Sequence, residues 1–277
     1  VTKSDPQPRI QQFLNLVSQA PRSLLLLDYD GTLAPFREER DRAVPYPRIA
    51  QVLQEIVRGA HTRVVIISGR DTSETIPLLG VTPTPEVWGL HGLQRRMPDG
   101  SMETVRIEER YLDALSDATR WLGCQYLWHT AEFKTGSIAV HWRGLNDWEV
   151  EDVRSRVLIG WNPIGEHSGL QLLEFDGGLE IRVPEADKGD VVRRVLLEME
   201  PDTPAAYLGD DATDEHAFQA IRGRGLSVLV RPRWRQTAAQ LWLKPPEELV
   251  EFLTQWLEAV RGRDALGGEK AAAVSRQ

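Results

Sequence analysis

Two carboxylates two positions apart, Asp28 and Asp30, follow directly on the four leucines Leu24–Leu27 and precede a Gly31-Thr32 turn. An unbroken apolar run of this kind predicts a strand buried on both faces, as inside a parallel sheet. Residues i and i+2 of an extended chain project the same way. Both acids therefore face one point beyond the strand's carboxyl end, where open α/β sheets bind ligands. Like charges held that close require a cation or a shared proton. A hard divalent ion such as Mg2+, which takes carboxylate and carbonyl oxygen, is the natural partner. A solvated turn of Asp and Gly is the alternative reading of the same residues.

Three further segments bear on that choice. Val64-Val65-Ile66-Ile67 is a second apolar strand, ending in Ser68-Gly69-Arg70, where a hydroxyl and exposed amides suit a phosphate oxygen. Lys188 opens an amphipathic helix carrying Val191, Val192 and Val195. A cation is disfavoured by the helix dipole at that end, yet it can serve an anion bound there. Ala205-Ala206-Tyr207-Leu208-Gly209 is a third strand, and it runs into Asp210, Asp211, Asp214 and Glu215.

In order and residue type these four segments resemble the motifs of the haloacid-dehalogenase-like phosphatases. That resemblance implies an α/β fold: a Rossmann-like, doubly wound parallel-sheet core with an inserted α+β cap domain. It also implies a mechanism. Asp28 attacks phosphorus to form an aspartyl-phosphate, splitting a difficult displacement into two steps. Asp30 protonates the departing oxygen and then deprotonates water. Mg2+ is held by Asp28, the main-chain carbonyl of Asp30 and Asp210. Ser68, Gly69 and Lys188 take the remaining phosphate oxygens, and Asp211 and Asp214 hold metal-bound water and Lys188 in place.

The segment between the second and third motifs changes character. It reads as a helix (108 to 122), strands over 125 to 133 and 137 to 143, a helix (148 to 160), and a hairpin over 170 to 182. Two helices against antiparallel strands predict a separate α+β unit. Domain boundaries are accordingly expected at 1–104 and 184–277 for the core and 105–183 for the cap, with a structureless tail from about 262. Within the insert, Glu132-Phe133-Lys134, His141-Trp142-Arg143 and Gly178-Leu179-Glu180-Ile181-Arg182 resemble the cap of trehalose-6-phosphate phosphatases, as do Gly89-Leu90-His91-Gly92 and the acidic fourth motif. By that resemblance Glu132, Lys134 and Glu180 bind sugar hydroxyls, and Arg70, His91 and Arg143 also contact the substrate. An exposed cross-strand ion pair is the plain alternative for the cap residues. The implied reaction is hydrolysis of trehalose 6-phosphate, the last step of trehalose synthesis. A trehalose-6-phosphate synthase of the same pathway is then a candidate partner. Another sugar phosphate, or an inactive sugar-phosphate-binding domain, remains as an alternative. Keeping Asp28, Asp30, Lys188 and Asp210 together argues against the last, since binding alone needs no acid/base pair.

Composition sets limits. The 277 residues carry 33 basic and 41 acidic side chains, a net charge of −8, which disfavours a nucleic-acid face. One cysteine, Cys124, excludes an intrachain disulfide and makes a reducing cytoplasm the expectation. No signal-peptide pattern is visible, and no apolar run approaches the roughly 20 residues of a membrane span. Of the nine tryptophans, Trp121, Trp161 and Trp256 fall on helical stretches and are expected in the core rather than stacked on sugar.

Overall fold

The computed structural model describes residues 6–37 and 39–274. The leucine run forms β1 (Ser23–Asp28), after α1 (Gln7–Gln19) and before α2 (Ile49–Arg58), β2 (Thr62–Ile67), α3 (Thr72–Leu79) and β3 (Glu86–Gly89). A hairpin, β4 (Gln94–Arg96) and β5 (Met102–Thr104), leads into the insert: α4 (Glu109–Cys124), β6 (Ala131–Lys134), β7 (Ser137–His141), α5 (Asp147–Ser168), β8 (Gln171–Phe175) and β9 (Gly178–Arg182). The chain returns through α6 (Lys188–Leu197), β10 (Ala205–Gly209), α7 (Glu215–Ala220), β11 (Gly225–Val230), β12 (Leu241–Leu243) and α8 (Glu247–Val274).

The main sheet has the order β12-β11-β10-β1-β2-β3-β4-β5, parallel except for the β4–β5 end. Its central strand β1 pairs with β2 on one side and β10 on the other. The order of winding reverses there, which opens a crevice at the strands' carboxyl ends. Alternate leucines feed opposite layers. Leu25 and Leu27 pack with Leu253 and Trp256 of α8, while Leu24 and Leu26 pack with Val192 of α6 and Phe218 of α7. Burial on both sides explains why no polar position interrupts the run before Asp28.

The insert forms its own antiparallel sheet, β6-β7-β9-β8. One face carries Ile138, Val140, Leu179 and Ile181 against Ala118 and Trp161 of α4 and α5. Period-two alternation puts Glu132, Ala139 and Glu180 in register on the other face. The fold is the expected doubly wound core with an inserted α+β cap. Trp161 and Trp256 are fully buried, as expected, and Trp121 is half-buried.

Several local expectations are corrected. The strand expected over 125 to 133 begins only at Ala131. Tyr126 takes φ +58°, and the amides of Tyr126 and Leu127 return to the carbonyls of Gly123 and Leu122. These are the paired bonds of a Schellman motif, so the apolar Leu127 closes α4 instead of extending a strand. Helix α5 passes Gly160 and runs to Ser168, because Val153, Val157 and Trp161 continue one buried stripe. Helix α8 continues to Val274 where a structureless tail was expected; the added segment 262–274 carries four alanines, the strongest helix former, alongside three glycines. Residues 275–277 lie outside the described residues. Among the described residues no helix is long and apolar enough to cross a membrane.

Candidate active site

The carboxyl end of β1 delivers Asp28 into a nearly sealed position, 3% exposed. Its Oδ1 accepts a hydrogen bond from Lys188 Nζ at 2.6 Å, while its Oδ2 is buried with no partner. Lys188 is the first residue of α6, whose start is fixed by the Asp187 side chain accepting from the amides of Gly189 and Asp190. The same ammonium also donates to Asp214 Oδ1 at 2.8 Å. Burial alone would lower the Lys188 pKa, but the charges of Asp214 and Asp28 overcome it and raise the group above an ordinary lysine. Asp28 is pushed up to about 7, by burial first and then by the charges of Asp214 and Asp30, against the opposing pull of Lys188.

Beyond β10, Asp214 is completely buried and its oxygens are filled. They accept from Lys188, from the Tyr207 hydroxyl at 2.6 Å, and from the amides of Asp210 and Asp211 at 3.0 Å each. Burial raises the Asp214 pKa, but Lys188 and these donors win and hold it down. Asp210 has no such support. Burial, followed by the charges of Asp28, Asp214 and Asp211, drives its pKa well up. Oxygens of Asp28, Asp210 and Asp214 lie within 4.8 Å of one another. Because Asp214 is saturated, the orphaned Asp28 Oδ2 and the Asp210 carboxylate are the oxygens left for a cation. A hard divalent ion such as Mg2+ fits this all-oxygen donor set and relieves the mutual repulsion. Gly31 permits the arrangement: at φ +86° it lies so close that a Cβ would sit 2.2 Å from Asp210 Oδ2.

Asp30 lies on the same cleft but is gripped by Arg70, whose Nε and Nη2 donate to its two oxygens at 2.6 and 2.7 Å. Arg70 thus holds Asp30 and also lines the cavity where the sequence places a substrate contact. Ser68 is buried, and its hydroxyl accepts from the Arg70 amide at 3.1 Å. Ser68 is not among the residues lining the cavity, whereas its neighbour Gly69 is. A side chain at Gly69 would strike the His91 ring, 2.6 Å from a Cβ.

A cavity of about 870 Å³ opens above these groups, with Asp28, Asp30, Lys188 and Asp210 on the core side and Glu132, Lys134, Arg143 and Glu180 on the insert side. The family model described as trehalose-phosphatase matches residues 26–241. The chain belongs to the trehalose-phosphatase family. A trehalose-phosphate phosphatase of Mycobacterium marinum is 30% identical over 246 residues, covering 84% of this chain and 60% of that protein. A trehalose 6-phosphate phosphatase of Zea mays is 29% identical over 270 residues, covering 88% of this chain and 73% of its own. The chain thus spans three fifths of the mycobacterial relative's length. The C-terminal domain of Candida albicans trehalose-6-phosphate phosphatase shares the fold with a TM-score of 0.77 at 20% identity, over 90% of this chain and 96% of that one.

In this trehalose-phosphatase family member the cap residues form a linked set. Glu132 lies 3.5 Å from Lys134 and 3.0 Å from His141. Glu180 accepts from Ser137 at 2.7 Å and lies 3.4 Å from His91 of the core and 3.8 Å from Lys134. Burial would raise its carboxyl, but His91, Lys134 and Arg182 together hold it well below the usual range. Burial likewise lowers the His91 imidazole, more than Glu180 raises it. Arg143 stacks on Phe36 of the core at 4.1 Å and donates to the Asp176 carbonyl. Arg182 pairs with Asp187 at 3.4 Å. The sequence reading gave no role to Tyr207, Ser137 or His141. Tyr207 sits two residues before Gly209, on the face that meets Asp214, and its period-two position is the signal that could have found it.

Proposed function

We propose that this protein hydrolyses trehalose 6-phosphate to trehalose and phosphate, with residues 105–183 as the cap and the flanking segments as the catalytic core. One observation carries the reading: a single cavity sets a charge-compensated carboxylate centre against Glu132, Lys134 and Glu180, which suit sugar hydroxyls that both donate and accept. The cavity also has ample room for a disaccharide phosphate.

The Asp28 carboxylate attacks phosphorus as the bond from phosphorus to the sugar oxygen breaks. Asp30 supplies the proton that the leaving oxygen needs, which requires one of its two Arg70 contacts to open. Asp30 then takes a proton from the water that attacks the aspartyl-phosphate, and Asp28 is released as a carboxylate. Lys188, with Gly69 at the cavity wall, neutralises phosphate oxygens. Asp214 and Tyr207 hold Lys188 in line, and Asp211 supports the loop. Asp28, Asp210 and the Asp30 carbonyl would hold Mg2+, which would supply charge neutralisation and Lewis acidity. The place of action is the cytoplasm, with a trehalose-6-phosphate synthase as the source of substrate.

The test compares Glu132→Gln with the unaltered protein on trehalose 6-phosphate and on p-nitrophenyl phosphate. Loss of a charged partner for sugar hydroxyls should cut kcat/KM on the disaccharide about tenfold to a hundredfold. The aryl phosphate, too short to reach the cap, should lose less than twofold. Equal losses would make Glu132 a support of the cap, and no turnover of trehalose 6-phosphate by the unaltered protein would end the assignment.

A further inference from the structure

We propose that Asp176 is a positioning residue: from the tip of the β8–β9 hairpin it latches the insert shut over the cleft through Arg231 and Asp211. The inference rests on the reading above in one respect, that the insert acts as a cap. The Asp176 amide donates to Asp211 Oδ2 at 2.9 Å, and its carboxylate accepts from Arg231 Nη2 at 3.1 Å. Its carbonyl accepts from Arg143, so all three polar groups of one residue are engaged. Gly177 makes the approach possible at φ +92°, where a Cβ would meet the Arg143 side chain at 2.5 Å.

Position gives these bonds their effect. The insert joins the core on either side, before α4 and after β9, and β9 runs from Gly178 to Arg182. At about 3.3 Å per residue the hairpin tip stands about 20 Å from the connection that follows Arg182. A contact that far from the hinge resists opening with more leverage than any beside it. Both core partners belong to the catalytic end of the sheet. Asp211 Oδ1 accepts from the Ala212 amide at 2.7 Å, shaping the loop that carries Asp210 and Asp214. Arg231 Nη1 points at the Asp210 carbonyl at 3.4 Å. Docking of the hairpin is therefore sensed by the same loop that supplies the cation's ligand. Aspartate suits the place, since its carboxylate answers Arg231 while its amide answers Asp211; a basic side chain would face Arg231 as a like charge.

The experiment is hydrogen exchange on the ligand-free full chain, followed in peptides covering 172–178, with the α5 segment 153–161 as internal control. The Arg231 and Asp176 side chains are 20% and 55% exposed, so their pair is of the partly solvated kind. Asp176→Ala and Arg231→Ala should each speed exchange of the hairpin about two- to fivefold. The double variant should be no faster than the faster single one, because both act through one pair. KM for trehalose 6-phosphate should rise by a similar factor, and in Asp176→Ala, which leaves the contact of Arg231 with the Asp210 carbonyl in place, kcat/KM for p-nitrophenyl phosphate should stay within twofold. Unchanged hairpin exchange in Asp176→Ala, or effects that multiply in the double variant, overturns the latch. Should Arg231→Ala fail to fold, Asp176→Asn carries the exchange comparison alone. If the protein proves inert toward trehalose 6-phosphate, the exchange data still decide the latch, and the functional reading fails by itself.

Discussion

Replacing Lys188 with methionine tests the charge logic of the centre most directly. Methionine keeps most of the volume, so packing changes little. What is lost is the ammonium that sits between two buried acids, Asp28 at 2.6 Å and Asp214 at 2.8 Å. Removing one member of a buried ion pair costs about 3–5 kcal/mol. The loss should also depend on pH. Asp28 already stands at about 7 in the native state against 3.8 as its ordinary value, so the folded protein holds a proton that the unfolded chain has released. A carboxyl raised in this way makes stability fall as pH rises from the unfolded value through the folded one. In the unaltered protein that fall ends near pH 7. Without Lys188 the folded value moves higher, and the fall continues, at up to about 1.4 kcal/mol per pH unit. Urea unfolding of both proteins at pH 6 and pH 8, in chelator, should therefore show a penalty larger at pH 8 by up to about 1.4 kcal/mol, the extra fall over the one pH unit above 7. An equal penalty at the two pH values, or a total below about 1 kcal/mol, would refute the picture of Asp28 as a desolvated acid held by Lys188.

Mg2+ binding should release protons, since Asp28 and Asp210 both stand raised without a cation; titration calorimetry in buffers of different ionisation enthalpy should find more release at pH 6 than at pH 8.5, and none at either would exclude these ligands. Asp30→Asn should slow trehalose 6-phosphate hydrolysis far more than that of p-nitrophenyl phosphate, whose leaving group needs little protonation. Equal losses would leave Asp30 a structural partner of Arg70. Gly31→Ala should lower stability by about 1–3 kcal/mol and weaken Mg2+ binding, because the left-handed backbone and the contact with Asp210 both exclude a Cβ. Unchanged melting and metal titration would show that the loop can move aside.

What the sequence shows well is what burial on both faces dictates. Leu24–Leu27, Val64–Ile67 and Ala205–Gly209 could only be interior strands, and the acids at the ends of the first and third followed from the sheet's geometry. The elements it hides are short or polar. The β4–β5 hairpin has no apolar face; Arg95 is held by Glu86 at 2.8 Å and by Glu198 at 2.8 Å, partners nine and 103 residues away. Helix α3 contains Pro77, and β12 is three residues long. In the site, residue types were legible but pairings were not. Arg70 belongs to Asp30, and Asp214 to Tyr207 and Lys188, through contacts that no local spacing encodes. The hairpin's bond to Asp211 joins residues 35 apart in different domains and left no periodic trace.

The pairing of β1 with β10 also sets a timetable for the chain's birth. Leu24 meets Ala205 in the finished sheet, so β1 is translated long before the partner on that side exists. At roughly 5–20 residues per second the interval is about 10–35 s. The insert, with its own apolar centre, can collapse during that wait, and β2 can join β1 from the other side. One edge of the most apolar strand nevertheless stays open to other chains on the ribosome until residue 209 emerges. Partial products ending inside the insert should accordingly be the species most prone to aggregate and most dependent on chaperones.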